Sequence, residues 1–369
     1  MKRINRRSFI SLSAAASGSL LLPQSCRQAK ASESNPSTPK KSIGVALLGL
    51  GGYSTYQLAP ALQLTQHCHL AGIVTGTPSK VTKWQKEYNI PDKNVYSYDN
   101  IAEIANNDDI DVVYIVTPTG THAKFAIAAA NTGKHVWCEK PMAMTVAECQ
   151  SIIDACNKNK VQLTIGYRMQ HEPNTKTLIS YADSKPFGDF TQIDAQAGYR
   201  GGGGSGWRFQ KALGGGALYD MGVYTVNGMR YATQMMPKRV VSARQFTNRP
   251  NLFKEVDETT EYVLEFENGL RGYGKTSVGQ SYNILKVTCE NGSYELSPMQ
   301  SYGGVVGKRS DGVLLDQYIE NQQARQMDDD ALALLEGRPM MIKGEEGMID
   351  IGIIQAIIKS AAEGKSVEL

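Results

Sequence analysis

A continuous apolar segment that runs into a glycine-rich turn constrains this chain more than any other feature. Residues 43–48 read IGVALL, without the alternation of a half-exposed strand, which is typical of a strand buried on both faces. The segment enters the turn Gly49-Leu50-Gly51-Gly52-Tyr53-Ser54, and a helical stretch follows. Gly49 allows the tight turn, Gly51 lets the backbone approach a pyrophosphate, and the small Ser54 permits helix–strand packing. Free N–H groups at a helix start favour an anion, so the turn predicts dinucleotide binding.

Strands and helices alternate from residue 43 to about residue 166, which predicts a parallel sheet with helices on both faces. Beyond this point the pattern changes to long segments of period two, separated by the hairpin signals Asn268-Gly269 and Asn291-Gly292. Helices are predicted near residues 172–184, 316–335 and 345–362. A chain of 369 residues is long enough for two domains. We therefore predict an α/β Rossmann domain over residues 43–165 and, over residues 166–369, an α+β domain with a large, mostly antiparallel sheet.

The N-terminal residues have the pattern of a targeting segment rather than of a folded element. Arg6 and Arg7 lie in a basic stretch before the apolar residues 9–22, which are too few to span a bilayer. The paired arginines resemble a twin-arginine signal. We predict a signal peptide over residues 1–31, export to the periplasm, and a linker over residues 32–42. Two processing sites stay open, namely cleavage at Ala29-Lys30-Ala31 and lipidation of Cys26 in a loose lipobox.

The distributions of charge and cysteine exclude two other kinds of site. The chain carries a net charge of +3, but residues 1–41 hold eight Lys and Arg against one acidic residue, which leaves −4 on the remainder. A mildly acidic body gives no electrostatic support for nucleic-acid binding. The cysteines show no CxxC pair or metal-ligand spacing, so we predict small buried side chains and no metal site. They are Cys26, Cys68, Cys138, Cys149, Cys156 and Cys289.

Two loops that follow predicted strands favour a particular dinucleotide. An acidic residue after the second strand would bind the ribose 2′-hydroxyl of NAD, but the segment from Thr75 to Lys80 contains none. Its hydroxyls and one ammonium suit a 2′-phosphate, so we predict NADP with Thr75 and Lys80 as ligands. A second loop opens a helix at the same edge of the sheet, and a histidine at a helix start is more often structural than catalytic. We predict cofactor contacts in this loop from Thr117, Pro118, Thr119 and His122.

The most specific segment is a strand that ends in Glu139-Lys140-Pro141. A lysine at the carboxyl edge of the sheet faces the reactive end of a bound cofactor, where its ammonium can polarise a substrate hydroxyl or carbonyl. In the second domain Asp220 and Tyr224 lie at positions i and i+4 of a predicted helix that starts near Ala217, so they share one face. A carboxylate and a phenol so placed can share a substrate hydroxyl with the lysine. We predict Lys140, Asp220 and Tyr224 as the catalytic set.

These segments resemble one family, the Gfo/Idh/MocA oxidoreductases, whose signature is the Glu-Lys-Pro turn. The resemblance covers residues 43–369, and Tyr224, where many members have His, is similar to the glucose–fructose oxidoreductase branch. It implies NADP as cofactor, small-molecule sugars as substrates, and a homo-oligomer, dimer or tetramer, formed through the second-domain sheet. It also implies cofactor contacts from Glu139, Lys140, Arg168, Trp207 and Arg208, the last suited to phosphate.

The resemblance and the predicted export together imply a particular activity. An aldose would be oxidised at its anomeric carbon to a lactone, with Tyr224 as the base, Lys140 holding the phenol poised and Asp220 orienting the sugar. The reduced cofactor would stay bound and reduce a second sugar to a polyol, because free NADP(H) is not supplied outside the cytoplasm. Three alternatives stay open: an NADP-dependent sugar dehydrogenase or reductase with a dissociable cofactor, a glycosidase that uses NAD in a redox-neutral cycle, and a non-catalytic binding protein.

Overall fold

The computed structural model describes residues 41–201 and 206–369. The predicted signal peptide, the lipobox at Cys26 and all but the end of the predicted linker lie outside these residues. No helix in the described ranges is long and apolar enough to cross a membrane.

The strands are β1 Ile43–Leu48, β2 Cys68–Val74, β3 Val95–Tyr96, β4 Val112–Ile115, β5 His135–Cys138, β6 Leu163–Ile165, β7 Phe190–Gly198, β8 Pro237–Phe246, β9 Thr259–Phe266, β10 Arg271–Ser277, β11 Tyr282–Cys289, β12 Gly292–Leu296, β13 Gly307–Arg309, β14 Leu314–Leu315 and β15 Val367–Glu368.

The first six strands form a parallel sheet in the order β3-β2-β1-β4-β5-β6, which confirms the predicted Rossmann architecture. All six residues of β1 are buried, because helices cover both faces of the sheet. The order reverses direction between β1 and β4, and ligands of open parallel sheets bind outside the carboxyl ends of the strands at such a point. The carboxyl edge beside β1 is therefore where this fold presents a crevice.

The remaining strands form a second sheet in the order β14-β13-β12-β11-β7-β10-β9-β8-β15. Pairing is antiparallel except between β7 and β10, so the predicted mostly antiparallel sheet is confirmed. Asn268-Gly269 joins β9 to β10 and Asn291-Gly292 joins β11 to β12, both as hairpins. The sequence gives no signal for β13, β14 and β15, since two or three residues are too few to show a period.

The helices cover both sheets, and one of them reaches back from the second half of the chain to the first sheet. Helix Gln322–Leu335 packs through the fully buried Met327 into the same apolar cluster as β1 and β2. The other helices are Val81–Tyr88, His122–Asn131, Val146–Lys158, Pro173–Ser184, Val223–Thr233, Gly344–Glu363 and the short Ala59–Ala61, and π-helical turns span Ser54–Leu58 and Leu218–Gly222.

Two helix predictions need correction. The helix predicted over residues 316–335 begins only at Gln322, because the Asn321 side chain accepts a hydrogen bond from the Ala324 N–H at 2.9 Å and so caps the N-terminus. The helix predicted from Ala217 starts as a π turn, so Asp220 and Tyr224 are not one regular α-helical turn apart. Periodicity alone cannot distinguish these two helical geometries over five residues.

Candidate active site

The segments that follow β1, β2, β4 and β5 line one cavity of about 860 Å³ together with residues of the second domain. A cavity of this size suits a cofactor-sized ligand. All predicted site residues except Ser54 and Arg168 line it. They are Gly49, Gly51, Gly52, Tyr53, Thr75, Lys80, Thr117, Pro118, Thr119, His122, Glu139, Lys140, Trp207, Arg208, Asp220 and Tyr224.

The glycine turn is closely packed against its neighbours at Gly49 and faces open space at Gly51. Gly49 has φ +100°, and a Cβ there would lie 3.0 Å from the Val116 carbonyl carbon, so only glycine fits. No atom lies within 4 Å of a Cβ built on Gly51. Ser54 is fully buried and donates through Oγ to the Gly49 carbonyl at 2.5 Å, so it supports the turn rather than facing the cavity. The open space over Gly51 fits the close approach of a pyrophosphate.

Thr75 and Lys80, which are predicted to bind the 2′-phosphate of NADP, lie beside this turn. The Lys80 ammonium donates to the Leu50 carbonyl at 2.6 Å, and the Thr77 N–H donates to Thr75 Oγ1 at 3.1 Å. The acidic residues among the described lining are Glu139 and Asp220, and their carboxylates accept hydrogen bonds elsewhere, from the Tyr114 hydroxyl and from Tyr199 and Arg208. This part of the cavity therefore offers hydroxyls and a cation.

Lys140 and Tyr224 are brought together from the two halves of the chain. The Lys140 Nζ lies 4.2 Å from the centroid of the Tyr224 ring and donates to the Asp220 carbonyl at 3.1 Å. That carbonyl lies in the π turn, where regular i to i+4 bonding is interrupted. The ammonium is thus held against the phenol by the backbone of the helix that carries it.

The electrostatic surroundings of Tyr224 favour its phenolate. Burial by itself raises the pKa of the phenol, but the positive charges of Lys140 and Arg168 outweigh burial, and the net shift is downward from the ordinary value. A tyrosine with a lowered pKa is suited to accept a proton from a substrate hydroxyl and to return it. The arrangement can therefore move one proton at the phenol oxygen.

The Asp220 carboxylate is held by two neighbours. Its Oδ2 accepts a hydrogen bond from the Tyr199 hydroxyl at 2.7 Å and one from Arg208 Nε at 2.9 Å. The Arg208 guanidinium also lies 4.5 Å from the ring of Trp207. Arg208, which the resemblance assigns to a phosphate, thus pairs with the Asp220 carboxylate here. Both of these hydrogen bonds go to Oδ2, and no described protein group donates to Asp220 Oδ1.

Comparison with known proteins fits this geometry. The family described as "Oxidoreductase family, NAD-binding Rossmann fold" matches residues 43–167, and the GFO/IDH/MocA C-terminal domain matches residues 175–295. The structure of aldose–aldose oxidoreductase from Caulobacter crescentus, complexed with glycerol, is similar with a TM-score of 0.85 and 34% identity, and the match covers 89% of this chain and all of that one. The chain belongs to the GFO/IDH/MocA oxidoreductase family.

Two curated relatives show the range of this family. D-xylose 1-dehydrogenase (NADP(+)) 2 of Haloferax volcanii is 25% identical over 331 residues, which cover 88% of this chain and 98% of the relative. Glycosyl hydrolase family 109 protein 1 of Shewanella sp. is 30% identical over 221 residues, which cover 53% of this chain and 46% of that protein. The second match spans less than half of its relative.

Arg168 lies behind the cavity wall rather than on it. It is 2% exposed, and its guanidinium donates to the Gln300 carbonyl at 2.5 Å and to the Gln322 side-chain oxygen. Its guanidinium carbon lies 4.6 Å from the Tyr302 ring centroid and 5.7 Å from that of Tyr224. These partners place Arg168 against the back of the phenols, whereas the family resemblance implies a cofactor contact.

Glu139 and His122 are buried polar residues that hold the loops of the first domain. Burial raises the pKa of Glu139, whose Oε1 accepts a hydrogen bond from the Tyr114 hydroxyl at 2.7 Å. The two ring nitrogens of His122 lie 2.8 Å from the Pro141 carbonyl and 2.7 Å from the Thr117 carbonyl, and burial lowers its pKa. Both nitrogens are thus occupied by backbone, which agrees with the structural role predicted for His122.

Sequence reasoning missed several residues that the structure places in the cavity. Tyr199 follows directly after β7, and a polar residue at a strand end is a signal that could have indicated it. Gln300, Ser301 and Tyr302 come from an irregular segment between β12 and β13, where no periodicity or motif is present. Their contribution depends on contacts with residues more than 100 positions away, such as Arg168.

Proposed function

We propose that this protein is an NADP-dependent sugar oxidoreductase that oxidises an aldose at its anomeric carbon to a lactone and reduces a second sugar to a polyol with a tightly bound cofactor. The observation that carries the proposal is the Lys140 ammonium 4.2 Å from the Tyr224 ring, in a cavity that also contains the glycine turn. The likeness to aldose–aldose oxidoreductase and to an NADP-dependent xylose dehydrogenase supports sugars as the substrate class.

The residues of the glycine turn and of the loops after β2 and β4 would hold the cofactor. When bound, the nicotinamide supplies a hydride acceptor for the first sugar and a hydride donor for the second. Tyr224 takes the proton of the anomeric hydroxyl in the oxidation and returns one to the carbonyl oxygen in the reduction, so the proton balance over both steps is zero. Lys140 stabilises the phenolate that exists before the oxidation and is formed again by the reduction, and Asp220 orients the sugar.

The experiment uses the full chain purified without added cofactor. We expect nicotinamide to co-purify, its reduced absorbance band to appear when an aldose is added, and the band to disappear when a second sugar follows. Protein that contains no nicotinamide and turns over only with free NADP would contradict the internal cycle and favour the dehydrogenase alternative. Release of aglycone from nitrophenyl glycosides without added cofactor, with no change in the band at the end, would favour a glycosidase.

The preference for NADP rests on Lys80 and can be tested separately. We expect Lys80→Met to weaken binding of NADP to the apoprotein by about 10- to 100-fold, because a charge-assisted hydrogen bond to the 2′-phosphate is lost. Binding of NAD, measured by the same fluorescence titration, should change little. Lys83→Met, an exposed lysine outside the cavity, is the control. Tighter binding of NAD than of NADP by the unchanged protein would reject the preference.

Assembly and location complete the proposal. Arg271, Tyr273 and Gln192 are exposed on β7 and β10 of the second sheet, and we propose that this face forms a homo-oligomer. Light scattering that shows a monomer would reject this assembly.

We also propose export through the twin-arginine segment, which explains why the cofactor must stay bound. Replacing Arg6 and Arg7 by Lys should retain the protein in the cytoplasm.

A further inference from the structure

Residues 300–302, here called the 300–302 segment, form one wall of the cavity. No motif identified in the sequence includes them. Gln300, Ser301 and Tyr302 all line the cavity. Tyr302 is 49% exposed, so its side chain is available to a ligand. Its ring centroid lies 6.0 Å from that of Tyr53, a residue of the glycine turn. The wall thus extends from the second domain to the mouth of the cofactor site.

Contacts from residues outside the cavity hold the 300–302 segment in place, as a surface that recognises a ligand requires. Arg168 donates to the Gln300 carbonyl at 2.5 Å, and its guanidinium lies against the Tyr302 ring at 4.6 Å. The Gln322 side chain donates to the Ser301 carbonyl at 3.0 Å. Gln322 begins the helix that packs on the first sheet, so the segment is anchored to the domain that carries Lys140. A phenol held in this way presents a fixed donor to the cavity at little entropic cost.

The chemical character of Tyr302 differs from that of Tyr224. Although the ring is about half exposed, protein atoms around the Tyr302 hydroxyl partly remove it from water, and this desolvation raises its pKa. The negative charge that Tyr224 can carry adds to the rise, whereas Arg168 opposes it. Its phenol is therefore suited to remain neutral and to serve as a hydrogen-bond donor, whereas the phenol of Tyr224 is suited to exchange the proton. Tyr302 lines the same cavity as Tyr224, Glu139 and Asp220.

We propose that Tyr302 is a specificity-determining residue that donates a hydrogen bond to a non-reacting hydroxyl of the sugar, and that Arg168 is the positioning residue that holds it. The proposal rests on the proposed function, because it needs a sugar in this cavity. A polyhydroxylated substrate offers several hydroxyls around its ring, and a fixed neutral donor selects among them. A contact of Tyr302 with the nicotinamide alone is the competing assignment.

The test compares Tyr302→Phe with the unchanged holoenzyme, using D-glucose, D-xylose and the monodeoxy derivatives of D-glucose. We expect the KM for the better sugar to rise by about 3- to 10-fold with kcat within twofold, because one hydrogen bond is lost. One monodeoxy derivative should lose its disadvantage in the variant, since the partner of its missing hydroxyl is gone. Tyr318→Phe, an 87% exposed tyrosine outside the cavity, is the matched control and should behave as the unchanged protein.

Each other outcome has a definite meaning. An unchanged KM and deoxy-sugar profile in Tyr302→Phe, with an active parent enzyme, overturns this inference and leaves the proposed function intact. A weaker affinity for NADP with unchanged sugar KM assigns Tyr302 to the cofactor and likewise overturns it. A parent enzyme that reduces no nicotinamide with any sugar removes the proposed function and this inference with it.

The role of Arg168 is tested by two variants. If either variant fails to fold, Tyr302→Phe still tests the proposal. Arg168→Met should raise the sugar KM as Tyr302→Phe does. It should also move the rise of aldose oxidation with pH to higher pH, because one of the charges that lowers the pKa of Tyr224 is removed. Arg168→Lys, which keeps the charge, should restore the pH profile but only part of the KM. The groups that face Tyr224 are Lys140, Glu139, Arg168, Tyr302 and Tyr53. A Met variant with an unchanged pH profile would show a purely structural role.

Discussion

Replacing Lys140 by Met is expected to lower kcat by about 10²- to 10⁴-fold while leaving the fold largely intact. The ammonium makes the largest contribution among the charges that lower the pKa of Tyr224, so without it burial dominates and that pKa rises. Methionine fills the same space beside the phenol ring. The unpaired Asp220 carbonyl costs about 1 kcal/mol of folding free energy, which circular dichroism during heating would register.

The pH dependence distinguishes this role from a merely steric one. As a base, Tyr224 acts in its deprotonated form, so oxidation of the aldose should increase with pH up to its pKa, which lies below the ordinary tyrosine value of about 10. In Lys140→Met the rise should move to higher pH. The control is Lys124→Met, an exposed lysine outside the cavity. A Lys140 variant that retains more than a tenth of the parent kcat at every pH would show that the ammonium is not needed.

Local patterns made the fold and most of the site predictable. Three features are each contiguous in the sequence: the buried β1, the glycine turn and the Glu139-Lys140-Pro141 segment. Because strands and helices alternate along the chain, the sheet is parallel, and these segments meet at one of its edges. The convergence of Lys140 with Asp220 and Tyr224 came from the family resemblance and from helical spacing together. Physical reasoning thus worked where a local pattern dictates both the backbone geometry and the direction of the side chain.

What could not be predicted depends on contacts between distant segments or on small differences in geometry. The π turn at Leu218–Gly222 has the same residue types as an α-helix, yet it places the Asp220 carbonyl within reach of Lys140. The family resemblance points to Arg168, but the direction of its side chain is decided by Gln300 and Gln322, which lie more than 100 residues later. The pairing of Arg208 with Asp220 likewise follows from a loop conformation that no period encodes.

Tyr224→Phe is expected to lower kcat by a similar factor, about 10²- to 10⁴-fold, through loss of the proton-exchanging oxygen alone. The ring stays under the Lys140 ammonium, so the contact at 4.2 Å and the thermal stability should persist. Because proton transfer is needed in both directions, aldose oxidation and reduction of the second sugar should slow together, measured as the rates at which the reduced-nicotinamide band appears and disappears.

The decisive comparison is with Tyr302→Phe, the same substitution at a phenol of the same cavity whose pKa is raised rather than lowered. The two environments push the phenols toward opposite roles, so one variant should change kcat and the other KM. If Tyr224→Phe instead keeps kcat within tenfold and loses only sugar affinity, the proton would have to pass through another group. Asp220 would then be the next candidate, because its Oδ1 has no recorded protein partner among the described residues and its carboxylate lines the same cavity.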